Sequence, residues 1–486
     1  MHLKALPKML SLLLLGVLAV PATADDDLRA LVKELSAQVK QLSSRVHELE
    51  HKLAQEQETR RQAATSPANP DQTTATAATQ ASATAPTSAM ATEPARKEAK
   101  PVTVGDVKGS YKIPGTDTSL AIGGYAKLDA IYNSASARGG SNNINNLMLI
   151  PSAIPVGSNL GEHSETVFNA RESRIWLKSF TPTILGDLNT YLEMDFMSFQ
   201  PPGDAPVPGD ERVTNGYSPR LRHAYGSLGN LLGGQTWTTF LNVAALPELN
   251  DFGGPIGQIF VRQALIRWTQ PFSLAGAPLE FQTALENPET TLTLPNGVRI
   301  APDDDRAPDV VARLNYNPVW GSLSVAGLAR QIRYSDNNHH QASEAWGGAV
   351  SLAGKVRTYG LDNFRFMLNY GNGLGRYTSY NLFNDAVLNS SGHIDLLDVY
   401  GGFLAYQHFW SPTWRSTVAY GFAHADYPPF VAQSVSKQAQ SVHVNLLWSP
   451  LLQATIGLEY IYGLRQLENG QEGDLQRVEF STRFSF

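Results

Sequence analysis

The chain closes on Gln476-Arg-Val-Glu-Phe-Ser-Thr-Arg-Phe-Ser-Phe486, a stretch in which apolar and polar side chains alternate without a break. Successive side chains of a strand point to opposite faces. Val478, Phe480, Thr482, Phe484 and Phe486 therefore share one side, and Arg477, Glu479, Ser481, Arg483 and Ser485 the other. In a soluble sandwich the apolar side would need a second sheet to cover it. Arginines pointing inward and an aromatic at the chain end instead fit a wall with lipid outside and water inside. The fold class expected is all-β, a transmembrane antiparallel β-barrel in a bacterial outer membrane.

The other end of the chain agrees. Lys4 and Lys8 precede the apolar run from Met9 to Val20, followed by Pro21 and the small-residue site Ala22-Thr23-Ala24. That is the pattern of a secretory signal peptide over residues 1–24, cleaved before Asp25. The run is too short to span a membrane as a helix, and no other stretch approaches the roughly 18 to 20 apolar residues required. The chain has no cysteine, so a disulfide framework and a thiolate metal site are both excluded. The net charge of −6 is spread along the chain, which argues against nucleic acid as a partner.

Between Leu28 and Leu53 the residues Leu28, Val32, Leu35, Val39, Leu42, Val46, Leu49 and Leu53 follow each other at steps of four and three. This heptad seam, valine at a and leucine at d, predicts an N-terminal periplasmic α-helical coiled coil over residues 25–62. A single amphipathic helix of this kind is unstable alone and needs a partner helix or its own barrel to cover the stripe. The a and d choice leans towards two strands, so the seam does not fix the stoichiometry. Residues 63–104 are dominated by Ala, Thr, Ser, Pro and Gln and cannot build a core, which predicts a disordered tether. Such a tether reaches roughly 35 Å and the helix adds roughly 40 Å, so the coil can stand away from the membrane, with peptidoglycan as a candidate partner.

From Ser119 onward the pattern is alternating strands, which places the barrel in residues 105–486. An aromatic followed closely by proline recurs at Phe180-Thr-Pro182, Trp268-Thr-Gln-Pro271, Tyr316-Asn-Pro318, Trp410-Ser-Pro412 and Trp448-Ser-Pro450. Each marks the short, periplasmic side of a barrel, where interfacial aromatics meet tight turns. Breaks at Gly229-Asn230 and between Gly354 and Gly360 fill two gaps, and Phe486 completes the series. Eight returns imply about sixteen strands. The remaining connections, 137–169, 199–218, 286–307, 332–343 and 370–394, are long, rich in Gly, Asn, Asp and Pro, and expected outside the cell.

Side chains do not fill so wide a lumen, and its inward row is the expected working surface. Strand phase points Arg174 and Lys178 inward on the second strand, Arg220 and Arg222 on the fourth, Arg267 on the sixth, Arg313 on the eighth and Arg365 on the eleventh. Lys127, Arg415, Arg477 and Arg483 follow by the same parity. Guanidinium groups stay charged at any relevant pH and fork onto carboxylates and phosphates, so a ladder of them would attract small anions. The alternative is that they pair with inward acids such as Glu193, Asp195, Glu280, Glu286 and Glu459 and brace the wall. The segment from Gln235 to Pro255 breaks alternation after the fifth strand and carries Leu241, Val243, Leu246, Leu249 and Phe252. Folded against the inner wall it would constrict the pore and set Glu248 and Asp251 opposite the arginines; otherwise it is an outer loop or a subunit contact.

Ile113-Pro-Gly-Thr-Asp-Thr-Ser-Leu-Ala-Ile-Gly-Gly-Tyr-Ala-Lys-Leu-Asp129, then Arg220-Leu-Arg-His-Ala-Tyr225 running into Gly233-Gly-Gln-Thr-Trp-Thr-Thr-Phe240, resemble the DcaP-like porins. The layout of signal, coil, tether and barrel does so too. The resemblance implies a homotrimer of sixteen-stranded barrels with the third loop folded inward and a preference for small anionic solutes, notably dicarboxylates. Arg174, Arg222 and Arg267, with Glu248 and Asp251 in the loop, stand at the matching positions. Leu265 departs from the pattern, an apolar residue at an inward phase of the sixth strand.

Other motifs lead nowhere specific. Gly371-Asn-Gly-Leu-Gly375 lacks the strand and helix that a nucleotide loop needs. Asp303-Asp-Asp305 with Asp309 has no calcium-loop spacing, and His339-His340 has no partner at metal spacing. No Gly-x-Ser-x-Gly elbow appears, so no hydrolase is indicated. The expectation is a passive channel embedded in outer-membrane lipid, not an enzyme, with no cofactor. A phosphate-selective or general porin, or a tether between outer membrane and cell wall, are the rival readings.

Overall fold

The computed structural model describes residues 103–135, 143–157, 164–198, 214–336 and 341–486. The expected signal peptide and coiled coil, and the tether up to residue 102, lie outside the described residues. Sixteen strands form the wall: β1 (Ser119–Asn133), β2 (in two segments, Glu165–Asn169 and Arg174–Thr183), β3 (Gly186–Asp195), β4 (Arg220–Leu228), β5 (Leu231–Trp237), β6 (Arg262–Leu274), β7 (Ala277–Glu286) and β8 (Asp309–Tyr316). The second half comprises β9 (Gly321–Asp336), β10 (Gln341–Arg357), β11 (Asn363–Asn372), β12 (Asp398–Phe409), β13 (Trp414–Asp426), β14 (Ser436–Leu451), β15 (Ala454–Leu467) and β16 (Glu472–Ser485). Each pairs antiparallel with its sequence neighbours. The sheet closes where β1 meets β16, from Tyr125 opposite Ser485 to Asn133 opposite Arg477. Closure leaves no open edge, the condition for a sheet to cross a membrane.

The terminal strand behaves as its alternation requires. Val478, Phe480 and Phe484 are exposed on the outer surface, and Arg477, Glu479 and Ser481 are buried within. One end of the barrel carries tight connections: Ile184-Leu185, Gly229-Asn230, Ala275-Gly276 and Leu452-Gln453 join β2–β3, β4–β5, β6–β7 and β14–β15. Ala275 and Gly276 both have positive φ, 50° and 81°, as a type I′ hairpin turn demands. The aromatic and proline phrases mark the strand ends leading into these turns rather than the turns themselves. Pro182 and Pro271 are still in register, opposite Asp187 and Glu280. The expected long loop over residues 332–343 is shorter than its composition suggests. β9 runs on to Asp336 and β10 begins at Gln341, their register unbroken from Gly321 opposite Val356.

The main departure from expectation concerns the lumen, which is not lined throughout by polar groups. On β8 to β15 many inward residues are small or apolar, among them Val311, Ala326, Ala353, Ala405, Ala419 and Ala423, and all are buried. They form one core cluster with Phe240, Leu241, Ile256 and Ile259 of the third loop (residues 238–261) and Tyr377 and Phe383 of the sixth (residues 373–397). The barrel thus encloses its hydrophobic core, and burial of these loop residues removes apolar area from water at about 25 cal/mol per Å². Close approach is possible because the wall has glycines where the loop crosses it: a Cβ at Gly421 would strike the Ile256 carbonyl, and one at Gly457 the side chain of Asn250.

Candidate functional site

The third loop leaves β5 after Trp237 and runs around the inside of the wall before rejoining β6 at Arg262. Its first limb is held from below by arginines. Arg267 of β6 donates through Nη2 to the Trp237 carbonyl at 2.6 Å and through Nε to Thr239 Oγ1 at 2.8 Å. Arg313 of β8 donates to the Leu241 carbonyl and, at 2.5 Å, to Gln282 Oε1. Arg365 of β11 donates to the Leu246 carbonyl and, at 2.7 Å, to Asn363 Oδ1. Between these anchors Asn242 caps a short 3₁₀ turn, Val243–Ala245, by accepting from the Ala244 N–H at 3.0 Å. Among the described residues every acceptor used by the three arginines is neutral, so none of the three charges is cancelled by direct pairing. Lys355 of β10 stands directly opposite Arg365 and adds a fourth cation at this level.

The nearby acids bond to neutral donors rather than to these arginines, and Glu286 and Glu280 act on Arg267 and Arg313 only through their charge. Glu286 accepts from the Thr239 N–H at 2.6 Å and from Gln263 at 2.5 Å, and Glu280 accepts from Asn315 at 2.9 Å. Glu459 accepts from His443 and from the Asn250 N–H of the loop.

The arginines of β4 have the opposite fate. Arg220 forks onto Asp195 through Nε at 2.8 Å and Nη2 at 2.7 Å. Arg222 is buried and bridges Glu193 at 2.6 Å and Asp195 at 2.7 Å. Arg174 of β2 lies 3.5 Å from Glu193 and over the ring of Tyr125 at 5.1 Å. Lys178 points inward on β2 and lines a small recess with Val107, Ser110 and Ala121 near the turn end, apart from the other cations.

Glu248 and Asp251 belong to an inward-folded loop, and each meets an inward arginine of the wall, on β13 and β16 rather than among Arg267, Arg313 and Arg365. Glu248 accepts from Arg415 of β13 and Gln407 of β12, each at 2.7 Å. Asp251 accepts from Arg477 of β16 at 3.0 Å and from the Leu149 N–H of the first loop at 2.9 Å. Both acids dock the loop on the wall, Asp251 well past the three arginines and Glu248 next to Arg365, with which it shares Gln407. Burial pushes the Glu248 carboxyl up, but the hydrogen bonds and charge of Arg415 outweigh this and hold it below the ordinary glutamate range. Leu265 is inward and buried, consistent with its covering by loop residues. In the outer loops Asp304 and Asp305 accept from Ser335 and Thr290, which uses them as loop caps.

Several inward cations stand outside the phase-derived set, among them Arg330, which pairs with Asp309 and Asp385, Arg465, Lys355 and Arg262. Lys355 follows inward parity on β10 and was legible. Arg262 was not, because it stands at the junction of loop and strand, where alternation has not begun.

A sequence profile of the DcaP outer membrane protein family matches residues 106–486. Among solved structures, the outer membrane channel DcaP of Acinetobacter baumannii is 21% identical, with a TM-score of 0.64, over 79% of this chain and 100% of that one. The anion-selective porin from Comamonas acidovorans is 12% identical with a TM-score of 0.46, over 76% of this chain and 100% of that one. Outer-membrane expressed OmpT of Vibrio cholerae is 8% identical with a TM-score of 0.46, over 77% and 99%. No curated protein matches the chain.

Proposed function

This chain belongs to the DcaP outer membrane protein family, and we propose that it is a diffusion channel passing small, preferably anionic solutes such as dicarboxylates. The observation that carries this reading is the trio Arg267, Arg313 and Arg365, fixed by loop carbonyls and, among the described residues, in ion-pair contact with no carboxylate. Two such charges acting on a dianion at about 8 Å in a water-like dielectric supply about 2 kcal/mol, enough to favour anions without trapping them. Flux follows the concentration gradient and the chain contributes only the path and its field.

The outer surface supports a homotrimer. The exposed large hydrophobics from Ile175 to Leu231 on β2 to β5 are aliphatic, with the hydroxyls of Ser179 and Thr190 bonded to each other at 2.6 Å. Trp268, Phe272, Tyr370, Tyr406, Tyr420 and Phe480 lie on the other strands. Apart from Phe168 at the loop end of β2, the sector lacks the interfacial aromatics that lipid favours, which suits contact with another subunit. The heptad seam from Leu28 to Leu53 supports a periplasmic coil on the polar tether.

The test is the zero-current potential of the purified protein in a planar bilayer, across gradients of potassium chloride, phosphate and succinate. Anion preference that is retained or increased with succinate is expected. Phosphate ranked above succinate would favour a phosphate channel, and cation preference would overturn the reading.

A further inference from the structure

Arg262 is the first residue of β6, roughly 17 Å along the strand from Arg267 on the side of the outer loops. By parity it belongs with Ala264, Ile266 and Trp268, which face lipid. Its guanidinium instead lies over the ring of Trp237 at 4.7 Å, and Trp237 packs on Phe260 of the third loop, their centroids also 4.7 Å apart. Phe260 in turn meets Phe252 at 5.8 Å and Tyr380 of the sixth loop at 5.1 Å. The side chain is thus set into an aromatic cup made by two loops and the wall.

No N–H of Arg262 has an acceptor among the described residues: Nη1 is fully enclosed, and Nε and Nη2 keep access to solvent. The charges that act on it are those of Arg222, Arg220 and Asp195. Asp195 is already consumed by the two β4 arginines, whose guanidinium groups lie over the same Phe252 ring at 5.3 and 5.2 Å. A guanidinium that bonds to nothing braces nothing. Stacking on Trp237 does not replace the hydrogen bonds these donors lack, so packing alone does not account for the placement.

We infer that Arg262 is the anion-capturing residue of a second station in the lumen, which receives the carboxylate or phosphoryl end of a small solute before the solute reaches Arg267, Arg313 and Arg365. The inference rests on the channel reading and assigns it a specificity-determining residue. The solvent-facing Nε and Nη2 form a planar fork that suits two oxygens of one oxyanion, and the aromatic cup holds its plane. Two stations in series let an anion pass between fixed charges without being held strongly at either, the condition for flux.

The experiment compares wild type, Arg262→Gln and Arg262→Lys in planar bilayers, with succinate or phosphate as the potassium salt, alongside Arg313→Gln. Heat-modifiable migration of each purified protein reports that the barrel is intact. Arg262→Gln is expected to lower the permeability of succinate relative to chloride at least threefold, and Arg262→Lys to recover less than half of it, because an ammonium restores charge without the fork. If Arg262→Gln matches wild type while Arg313→Gln loses anion preference, the channel reading stands and the second station is wrong. If wild type has no anion preference, both fall. Should the glutamine variant fail to form a barrel, the lysine variant decides, and a ratio equal to wild type refutes the role of the fork.

Discussion

Two sectors of the inner wall carry the same residue in the same inward phase and use it oppositely. On β4, Arg220 and Arg222 are locked between Asp195 and Glu193. On β6, β8 and β11, Arg267, Arg313 and Arg365 hold only carbonyl, amide and hydroxyl oxygens. A carboxylate partner cancels the field of an arginine, whereas a neutral acceptor fixes its position and leaves the field intact. The first sector is a brace and the second a filter, and the difference lies in the acceptor.

The contrast is most exposed by deleting a brace. Arg222→Met leaves Glu193 and Asp195 buried with fewer donors and should cost about 3 kcal/mol, because an uncompensated buried charge is worse than no charge. A urea titration of the micelle-solubilised barrel would register this as a lower midpoint, and an unchanged midpoint would dissolve the distinction.

Next in size is Glu248→Gln, which keeps the shape but removes the charge answering Arg415, at about 1 kcal/mol for a charge-assisted hydrogen bond that is partly solvated. The same contact has a pH signature. Because the folded Glu248 lies below the ordinary glutamate value, its contribution is complete above about 4.3 and is lost only as pH falls through the depressed value. Single-channel conductance should therefore be steady from pH 7 to 5 and become noisy in stronger acid as the loop loosens. In Glu248→Gln this acid-induced noise should be absent.

The smallest effect belongs to a filter residue. Arg313→Gln should leave the urea midpoint nearly unmoved and reduce the anion-to-cation permeability ratio about twofold, the weight of one unit charge contributing about 0.5 kcal/mol. A large loss of stability with no change in selectivity would mean that Arg313 is another brace.

Much of the wall was legible in the chain. Alternation such as that of Val478, Phe480 and Phe484 is a direct imprint of lipid on one side, and the turn-end aromatics count the strands. The filling of the lumen was not legible, because Ala405, Ala419, Gly421 and Ala423 look like unremarkable wall residues. Their smallness is the space the third loop occupies, and nothing local records that. The direction of each arginine could be read from parity, yet its partner could not. Asp195 lies far from Arg222 along the chain, and the carbonyls of Trp237, Leu241 and Leu246 leave no mark in the residue type at all. Glu248 and Asp251 were readable as acids of an inward loop facing arginines; which arginines they meet, Arg415 and Arg477, was not, because alternation sets no register for a segment that is not a strand.

The far tip of that loop spans the one joint in the sheet that sequence neighbours cannot make. Lys127 of β1 donates to the Asn250 carbonyl at 2.8 Å, and Arg477 of β16 reaches Asp251 in the next position. These strands are separated by almost the whole barrel sequence, so their pairing is the contact of highest order and the last that entropy permits. A rivet set across that joint from inside can be driven only once the cylinder has closed. An unfinished barrel would therefore leave the loop tip undocked, and sealing of the wall and seating of that tip would be a single event in assembly.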